Sequence, residues 1–472
     1  MAREAIKTDI PARMDRLPWS RFHLLVVIAL GVTWVLDGLE VTIVGSIGPI
    51  LKDKHTLALT DQQVGLIAAF YVGGAVIGAL VFGWLTDRFG RRLIFNITLG
   101  IYMAGVLASA FAWNFYSFAL FNCVTGLGIG GEYAAINSAI DELIPARLRG
   151  RVDLIVNGSY WAGAACGAGA SLLLLSGKLV AIDIGWRLPF AIGAVLSAGV
   201  LFLRRFVPES PRWQVTHGRE QEAKDTTADI ERKVGKPLPA AKGTLEVHPR
   251  KVFGFGLILR SMLGKNLGRS FLALTLMVAQ AFLFNAVFFT YGLVLTRYYH
   301  VSDARVGIYI LPLAVGNFMG PVLLGHLFDT VGRKKMIAGT YGLAGILLAG
   351  VAVLFGAGML SAWTQTACWM AIFFVASAAA SSAYLTASEI FPLETRAMAI
   401  ALFYALGTLI GGVTAPALFG HLIGSGHAWA VAGGYAAAAV LMLAAAVCEV
   451  FLGVEAAGKS LEDVAQPLSG SA

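Results

Sequence analysis

Charge is what this sequence has least of. Only 14% of its 472 residues are Asp, Glu, Lys or Arg, little more than half of the roughly 25% that a soluble domain carries. That scarcity argues against a water-soluble fold. Cysteine is scarce too: Cys123, Cys166, Cys368 and Cys448 stand apart, with neither metal-ligand spacing nor a secreted disulfide framework, and are read as free, buried thiols. No nucleophile–base pair, phosphate-binding loop or metal-ligand cluster is present, so no enzyme, cofactor or metal site is expected. His326 and His421 are isolated in apolar surroundings and are expected to pack there. The first 22 residues lack a short apolar core followed by a small-residue cleavage site, so a cleaved signal peptide is not expected and the first apolar run serves as the insertion signal.

What remains is apolar. Hydrophobic residues make up 57% of the chain, gathered into runs of about 20 residues, the length at which a helix crosses ~30 Å of hydrocarbon. Twelve such runs fall near 23–47, 63–85, 93–112, 115–139, 153–176, 187–206, 270–295, 306–328, 337–357, 364–387, 397–422 and 428–451. The expected fold class is an all-α polytopic membrane protein. The net charge of +8 reports topology: of the lysines and arginines, only Lys52, Lys54, Lys178, Arg187, Arg297 and Arg305 fall in the loops assigned to the outside. Positive charge retained in the cytoplasm places both termini there, in the plasma membrane. No nucleic-acid signature is present; the expected partners are lipid, a small organic solute and protons, with the chain acting as a monomer.

The chain repeats itself. GWLTDRFGRR after the second run holds Gly83, Asp87, Gly90, Arg91 and Arg92. GHLFDTVGRKK after the eighth holds Gly325, Asp329, Gly332, Arg333 and Lys334, 242 residues on. DELIPARLRG (Glu142, Pro145, Arg149) and SEIFPLETR (Glu389, Pro392, Arg396) form a second pair, offset by 247. Two pairs at nearly one offset imply two homologous halves: bundles at 23–206 and 270–452, tails at 1–22 and 453–472, and a hydrophilic loop at 207–269. That loop is read as a tether with short amphipathic helices. In each duplicated loop an Asp ends a helix, Gly allows a tight turn, and paired cations follow. Such charges either anchor short loops or form pairs that break and remake as the halves rock. Their presence in register in both halves favours a gate.

These motifs resemble those of the major facilitator superfamily, in the branch of sugar porters and metabolite–proton symporters. PESPRW (Pro208–Trp213, with Glu209 and Arg212), SEIFPLETR, and more weakly GWR (Gly185–Arg187) and GKSLED (Gly458–Asp463) are similar to sugar-porter sequences at those places. The resemblance implies twelve helices in two pseudo-symmetric six-helix bundles around a central cavity, working by alternating access. The cytoplasmic gate is then expected at Gly83, Asp87, Gly90, Arg91, Arg92, Glu142, Arg149, Glu209, Arg212, Asp329, Gly332, Arg333, Glu389 and Arg396.

Inside the runs, acids are the anomaly. Asp37 and Glu40, in WVLDGLEVTIVG, cost together roughly 5–7 kcal/mol at mid-membrane. Three residues apart, they share one helix face, which must turn into the bundle or a wet cavity. Two nearby acids in low dielectric do not readily both ionise, so one is expected to hold a proton; a structural hydrogen-bonded pair is the plainer alternative. Asp-Gly-Leu-Glu resembles the Asp-Gly-x-Asp of aromatic-acid–proton symporters. Glu132, in GGEYAA, is a third acid, placed either in coupling or in helix packing. GLGIG (Gly126–Gly130) resembles the sugar-porter glycines that let helices approach. The Arg that family places upstream falls at Asn122 here. No Lys or Arg lies in the interior of any run, so the acids are expected to lack a base.

Amides need partners in lipid, and several fall at positions where the family contacts solute: Asn157, and Gln280 with Asn285 in the Gln-x4-Asn spacing, followed by Phe289 and Tyr291. Tyr384 stands in place of a family Trp. Trp34, Asn122, Trp161, Asn317 and Tyr404 complete the cavity candidates. Because side chains at sugar-contacting positions differ, hexose fits poorly, and a smaller or more aromatic metabolite fits better. The expected function is a secondary active, proton-coupled symporter of a small organic metabolite. Two alternatives stay open: proton-driven export of an organic cation or drug, and a non-transporting ligand sensor on the same scaffold.

Overall fold

In the computed structural model, which describes residues 6–174, 181–241, 243–247, 260–288 and 290–468, the chain is overwhelmingly helical. Twelve long helices follow one another: α1 (Arg21–Leu51), α2 (Asp61–Phe89), α3 (Arg91–Ala110), α4 (Phe115–Leu143), α5 (Arg149–Leu174), α6 (Leu188–Leu203), α7 (Leu267–Phe288), α8 (Asp303–Thr330), α9 (Arg333–Gly356), α10 (Ala362–Glu389), α11 and α12 (Ala428–Leu452). The α11 helix is compound, with a π-helical stretch Thr408–Val413 between Arg396–Gly407 and Thr414–Gly424. A further helix, Tyr291–Tyr299, continues the path of α7; Phe289 lies outside the described residues.

Among the described residues, ten helices are long and apolar enough to cross a membrane. The two other expected spans, α4 and α5, are long enough at 29 and 26 residues, but Gly, Ser, Asn and acidic residues dilute their hydropathy. Both are interior helices, packed against α2 and α1 respectively, so their composition answers to protein neighbours more than to lipid.

Glycine sets how close those neighbours come. A Cβ on Gly126 would lie 2.1 Å from the Tyr71 carbonyl of α2, and one on Gly130 would lie 1.9 Å from the Ala75 carbonyl. The GLGIG stretch therefore packs α4 backbone to backbone on α2, as small residues do between membrane helices. Large apolar side chains such as Val195, Val440 and Phe451 cover the outer faces, where lipid replaces water as solvent. The free cysteines are not fully buried as expected: Cys166 is exposed and the other three are half-buried. His326 and His421 are likewise exposed, because they fall on outward helix faces that periodicity alone could not phase.

Helix ends are specified locally. Thr60 with Gln63, Asn114 with Ser117, and Ser361 with Thr364 form capping boxes on one face of the bundle. Exposed Trp113, Tyr116, Trp363 and Trp429 gather near that face, the position at which aromatic rings meet lipid headgroups. On the other face, Gly90 (φ 100°) and Gly332 (φ 115°) turn the chain between α2 and α3 and between α8 and α9, a backbone conformation that side chains resist.

The described parts of the expected tails and tether lie on this second, terminal face. Strand β1 (Ile6–Thr8) pairs antiparallel with β2 (Leu245–Val247), which the sequence did not suggest. The amphipathic helix Glu220–Val234 buries Ala223, Thr227, Ile230 and Val234, carries Glu220 and Glu222 in its first turn and Arg232 and Lys233 in its last, and stops at left-handed Gly235. Its Glu231 accepts from Arg13 Nε at 3.0 Å and Arg16 Nη2 at 2.7 Å, which ties the N-terminal tail to the tether.

Candidate functional site: a central cavity above a charged gate

Between α1, α2, α4 and α5 on one side and α7, α10 and α11 on the other lies a cavity of about 500 Å³. Among the expected solute-contacting residues, Trp34, Asn157, Trp161, Gln280, Asn285, Tyr384 and Tyr404 line it. Three others do not. Asn122 is fully buried and spends its amide on the Phe118 carbonyl (2.9 Å). Asn317 does the same with Leu313 (2.9 Å), and the Tyr291 hydroxyl pairs with Thr366 at 2.6 Å behind the wall. Asn122 sits on α4, which reaches the cavity through Phe118 and Tyr133 instead, and among the described residues none of α8 or of Tyr291–Tyr299 lines the cavity.

Asp37 stands one layer behind the lining. Its Oδ1 accepts from the Tyr71 hydroxyl at 3.1 Å and its Oδ2 from the Tyr133 hydroxyl. Both tyrosines line the cavity, so the carboxylate reaches the solute space only through them. No cation pairs with it among the described residues. Tyr133 stacks on Trp34 at 4.6 Å, with Tyr404 edge-on to Tyr133 at 4.9 Å. Tyr133 was not foreseen, although it adjoins Glu132 in GGEYAA and lies on the same interior helix.

Glu40, one turn further along α1, is buried. It lies toward α3, beside Tyr102, instead of facing the cavity. Glu132 corrects the expectation that the acids lack a base. Arg204, at the end of α6, places Nη2 3.2 Å from its Oε2. The same guanidinium donates to the Phe95 carbonyl (2.9 Å) and to Thr33 Oγ1 (3.1 Å) and lies over the Phe95 ring at 4.3 Å. Arg204 sits where the apolar run ends, a place that reads as a solvated flank in one dimension; in space that end folds into the bundle.

A further acid was missed. Asp153 is wholly buried on α5, one turn before Asn157, whose Nδ2 donates to its Oδ2 at 3.0 Å and to Asn137 Oδ1 at 3.1 Å. The four-residue spacing from Asn157 was the available signal. These amides connect the cavity wall to the terminal face.

There the duplicated motifs meet, and they do so as a symmetric pair. Asp87 ends α2 and accepts from the backbone N–H groups of Ala397 (3.3 Å) and Met398 (2.9 Å) at the start of α11. Asp329 near the end of α8 accepts from Gly150 (3.0 Å) and Arg151 (2.8 Å) at the start of α5. Each half thus caps a helix of the other, a favourable site for a carboxylate because the first N–H groups of a helix lack internal partners. Arg91 pairs with Glu142 at 2.8 Å, and Arg333 with Glu389 at 2.9 Å. Arg396 crosses back to Glu142 (3.3 Å) and Arg149 to Glu389 (3.6 Å). A Cβ on Gly83 would lie 2.4 Å from that of Ala401, so α2 and α11 touch.

An outer layer repeats the device. Glu209 accepts from the N–H groups of Arg91 (2.9 Å) and Arg92 (3.2 Å), and Glu455, which the sequence reading omitted, accepts from Arg333 N–H at 2.8 Å. The Arg92 side chain itself is exposed. Arg212 joins three remote segments through Asp15 (2.9 Å) and Glu462. Burial pushes the Glu209 carboxyl up, while Asp15 and Glu462 raise the Arg212 guanidinium against the opposing effect of burial. The terminal face is closed by these contacts.

Comparison with known proteins agrees with this architecture. The profile of the family "Sugar (and other) transporter" matches residues 32–468. The niacin transporter NiaP of Acinetobacter baylyi is 28% identical, over 97% of this chain and 99% of its own. The 4-hydroxybenzoate transporter PcaK of the same organism is 24% identical, over 89% of each. The crystallised proton:xylose symporter XylE superposes with a TM-score of 0.76 at 20% identity, covering 94% of this chain and 98% of that one. The chain belongs to the sugar (and other) transporter family and has the major facilitator fold.

Proposed function

We propose that this transporter is a proton-coupled symporter of a small organic metabolite, with Asp37 and Glu40 taking the proton. One observation carries the reading: Asp37 is buried with only tyrosine hydroxyls as partners, and both hydroxyls belong to the cavity wall. A fixed charge so placed is unfavourable by several kcal/mol. A group that gains and loses a proton during the cycle avoids holding it in every state. Glu40, buried one turn further along α1 beside Tyr102, shares the proton. Glu132, paired with Arg204, braces α4 against the end of α6.

Alternating access follows from the gate. The cross-half helix caps and the paired arginines close the terminal face, taken as cytoplasmic from the distribution of basic residues. The cavity then communicates with the outside. Solute settling against Trp34 and Tyr133 alters the hydroxyl that holds Asp37, so occupancy and protonation share one side chain. When both sites are filled, the caps at Asp87 and Asp329 release, and solute and proton leave inward. Export of an organic cation lacks an acid in the cavity wall to support it, and a sensor would bind without counterflow.

The test is a thermal-stability screen of purified protein against a metabolite library at two pH values. A solute whose stabilisation grows as pH falls, and loses that dependence in Glu40→Gln or Asp37→Asn, supports coupling. A solute that stabilises equally at both pH values, and is exchanged across proteoliposomes without proton movement, refutes it.

A further inference from the structure

The central cavity is walled by rings, and among the described residues no charged side chain lines it. Trp34 and Tyr133 lie nearly parallel, 12° apart, with Tyr384 edge-on to Trp34 at 5.9 Å. Across the cavity Trp161 meets Phe288 at 5.1 Å. Such surfaces favour a flat π-system, which can stack on faces and accept ring edges. Gln280 and Asn285, both on the lining, break the ring surface with amides. An amide offers both a donor and an acceptor, and a solute carrying one of each would pair with them.

Charge in the solute has nothing to answer it. Arg204, a buried cation of this half, is engaged by Glu132, Phe95 and Thr33 and is not among the lining residues. Asp37 has both oxygens occupied and is screened by Tyr71 and Tyr133. A carboxylate or an ammonium would therefore shed water without gaining a counter-charge. A sugar would set most of its hydroxyls against ring faces.

We infer that the solute is a planar aromatic or heteroaromatic molecule without net charge that carries a donor and an acceptor, as a carboxamide does. The inference rests on the cavity being the transport site. It is tested with purified protein by tryptophan-fluorescence quenching and thermal shift, using nicotinamide and 4-hydroxybenzamide against nicotinate, 4-hydroxybenzoate, 1-methylnicotinamide and D-xylose at neutral pH. The amides are expected to bind more tightly than the matching carboxylates by on the order of a hundredfold, and more tightly than the cation. Gln280→Leu, which removes a side-chain amide from the wall, is expected to weaken amide binding by about tenfold. Carboxylate, cation or xylose binding equal to or tighter than the amides overturns the inference, as does failure of both amides to bind. An amide that binds but shows no counterflow in proteoliposomes leaves the solute class standing and overturns the transport reading. Counterflow of xylose or a carboxylate does the reverse.

Discussion

Replacing Arg204 with Met removes a guanidinium that contacts three elements: Glu132 on α4 at 3.2 Å, Phe95 on α3 by a hydrogen bond and by its ring, and Thr33 on α1. Glu132 would then be a buried carboxylate without a partner. Breaking a buried pair from one side costs about 3–5 kcal/mol, most of it the stranded charge. Removing both charges is near neutral when the replacements fill the space. Arg204→Met alone is therefore expected to lower stability by about 4 kcal/mol, and Glu132→Gln with Arg204→Met to recover all but about 1 kcal/mol of that loss. Thermal unfolding followed by tryptophan fluorescence reads all four corners of the cycle. If the single Met variant is as stable as the parent, or if the double variant is no better than the single, Glu132 and Arg204 are not the mutual partners described.

Three further outcomes follow from the same contacts. Asp329→Asn weakens the cap on Gly150 and Arg151 and the pair with Arg333; at about 1.5–3 kcal/mol per charged hydrogen bond, the closed terminal face should lose on the order of tenfold in population or more, read as faster hydrogen exchange at the start of α5. Gly38→Ala would put a Cβ 1.9 Å from the Tyr160 carbonyl and should destabilise the α1–α5 contact by about 1–3 kcal/mol in a thermal melt. His217, stacked on Trp213 at 4.3 Å, has its imidazole pushed down by burial to about 4 from 6.5. Because the unfolded chain binds that proton first, stability falls as pH drops from about 6.5 toward 4, by up to about 3 kcal/mol; His217→Gln should flatten the melt over that window relative to the parent.

The fold was legible because its signals are redundant. Apolar runs of membrane length mark helices one by one, and the two loop motifs recur at offsets of 242 and 247 residues. The members of the charged network at the terminal face were legible for the same reason, but their partners were not. That Asp87 caps α11 and Asp329 caps α5 depends on how the halves face each other, which no local pattern encodes. Glu455 escaped because its counterpart, Glu209, lies in a motif that the C-terminal tail does not repeat. In the cavity, residue type pointed to the right kinds of side chain, while helix rotation decided which ones arrived. Asn157 and Gln280 face in; Asn122 and Asn317 turn to their own backbone. Asp153 and Arg204 were overlooked for one reason: both sit where an apolar run ends, and a one-dimensional boundary cannot tell a solvated flank from a buried terminus. Among the acids, Asp37 was found by its cost in lipid, but its access to solute through Tyr71 and Tyr133 required the packing of α2 and α4.

The central claim is that Asp37 carries the coupling proton. It is tested by reconstituting the parent and Asp37→Asn into proteoliposomes, with a solute from the stability screen and an imposed inside-alkaline gradient. The account predicts that the parent accumulates solute above its external concentration while protons enter. Asp37→Asn should still exchange solute in counterflow but neither accumulate it nor move protons. Gradient-driven accumulation that persists undiminished in Asp37→Asn would contradict the account.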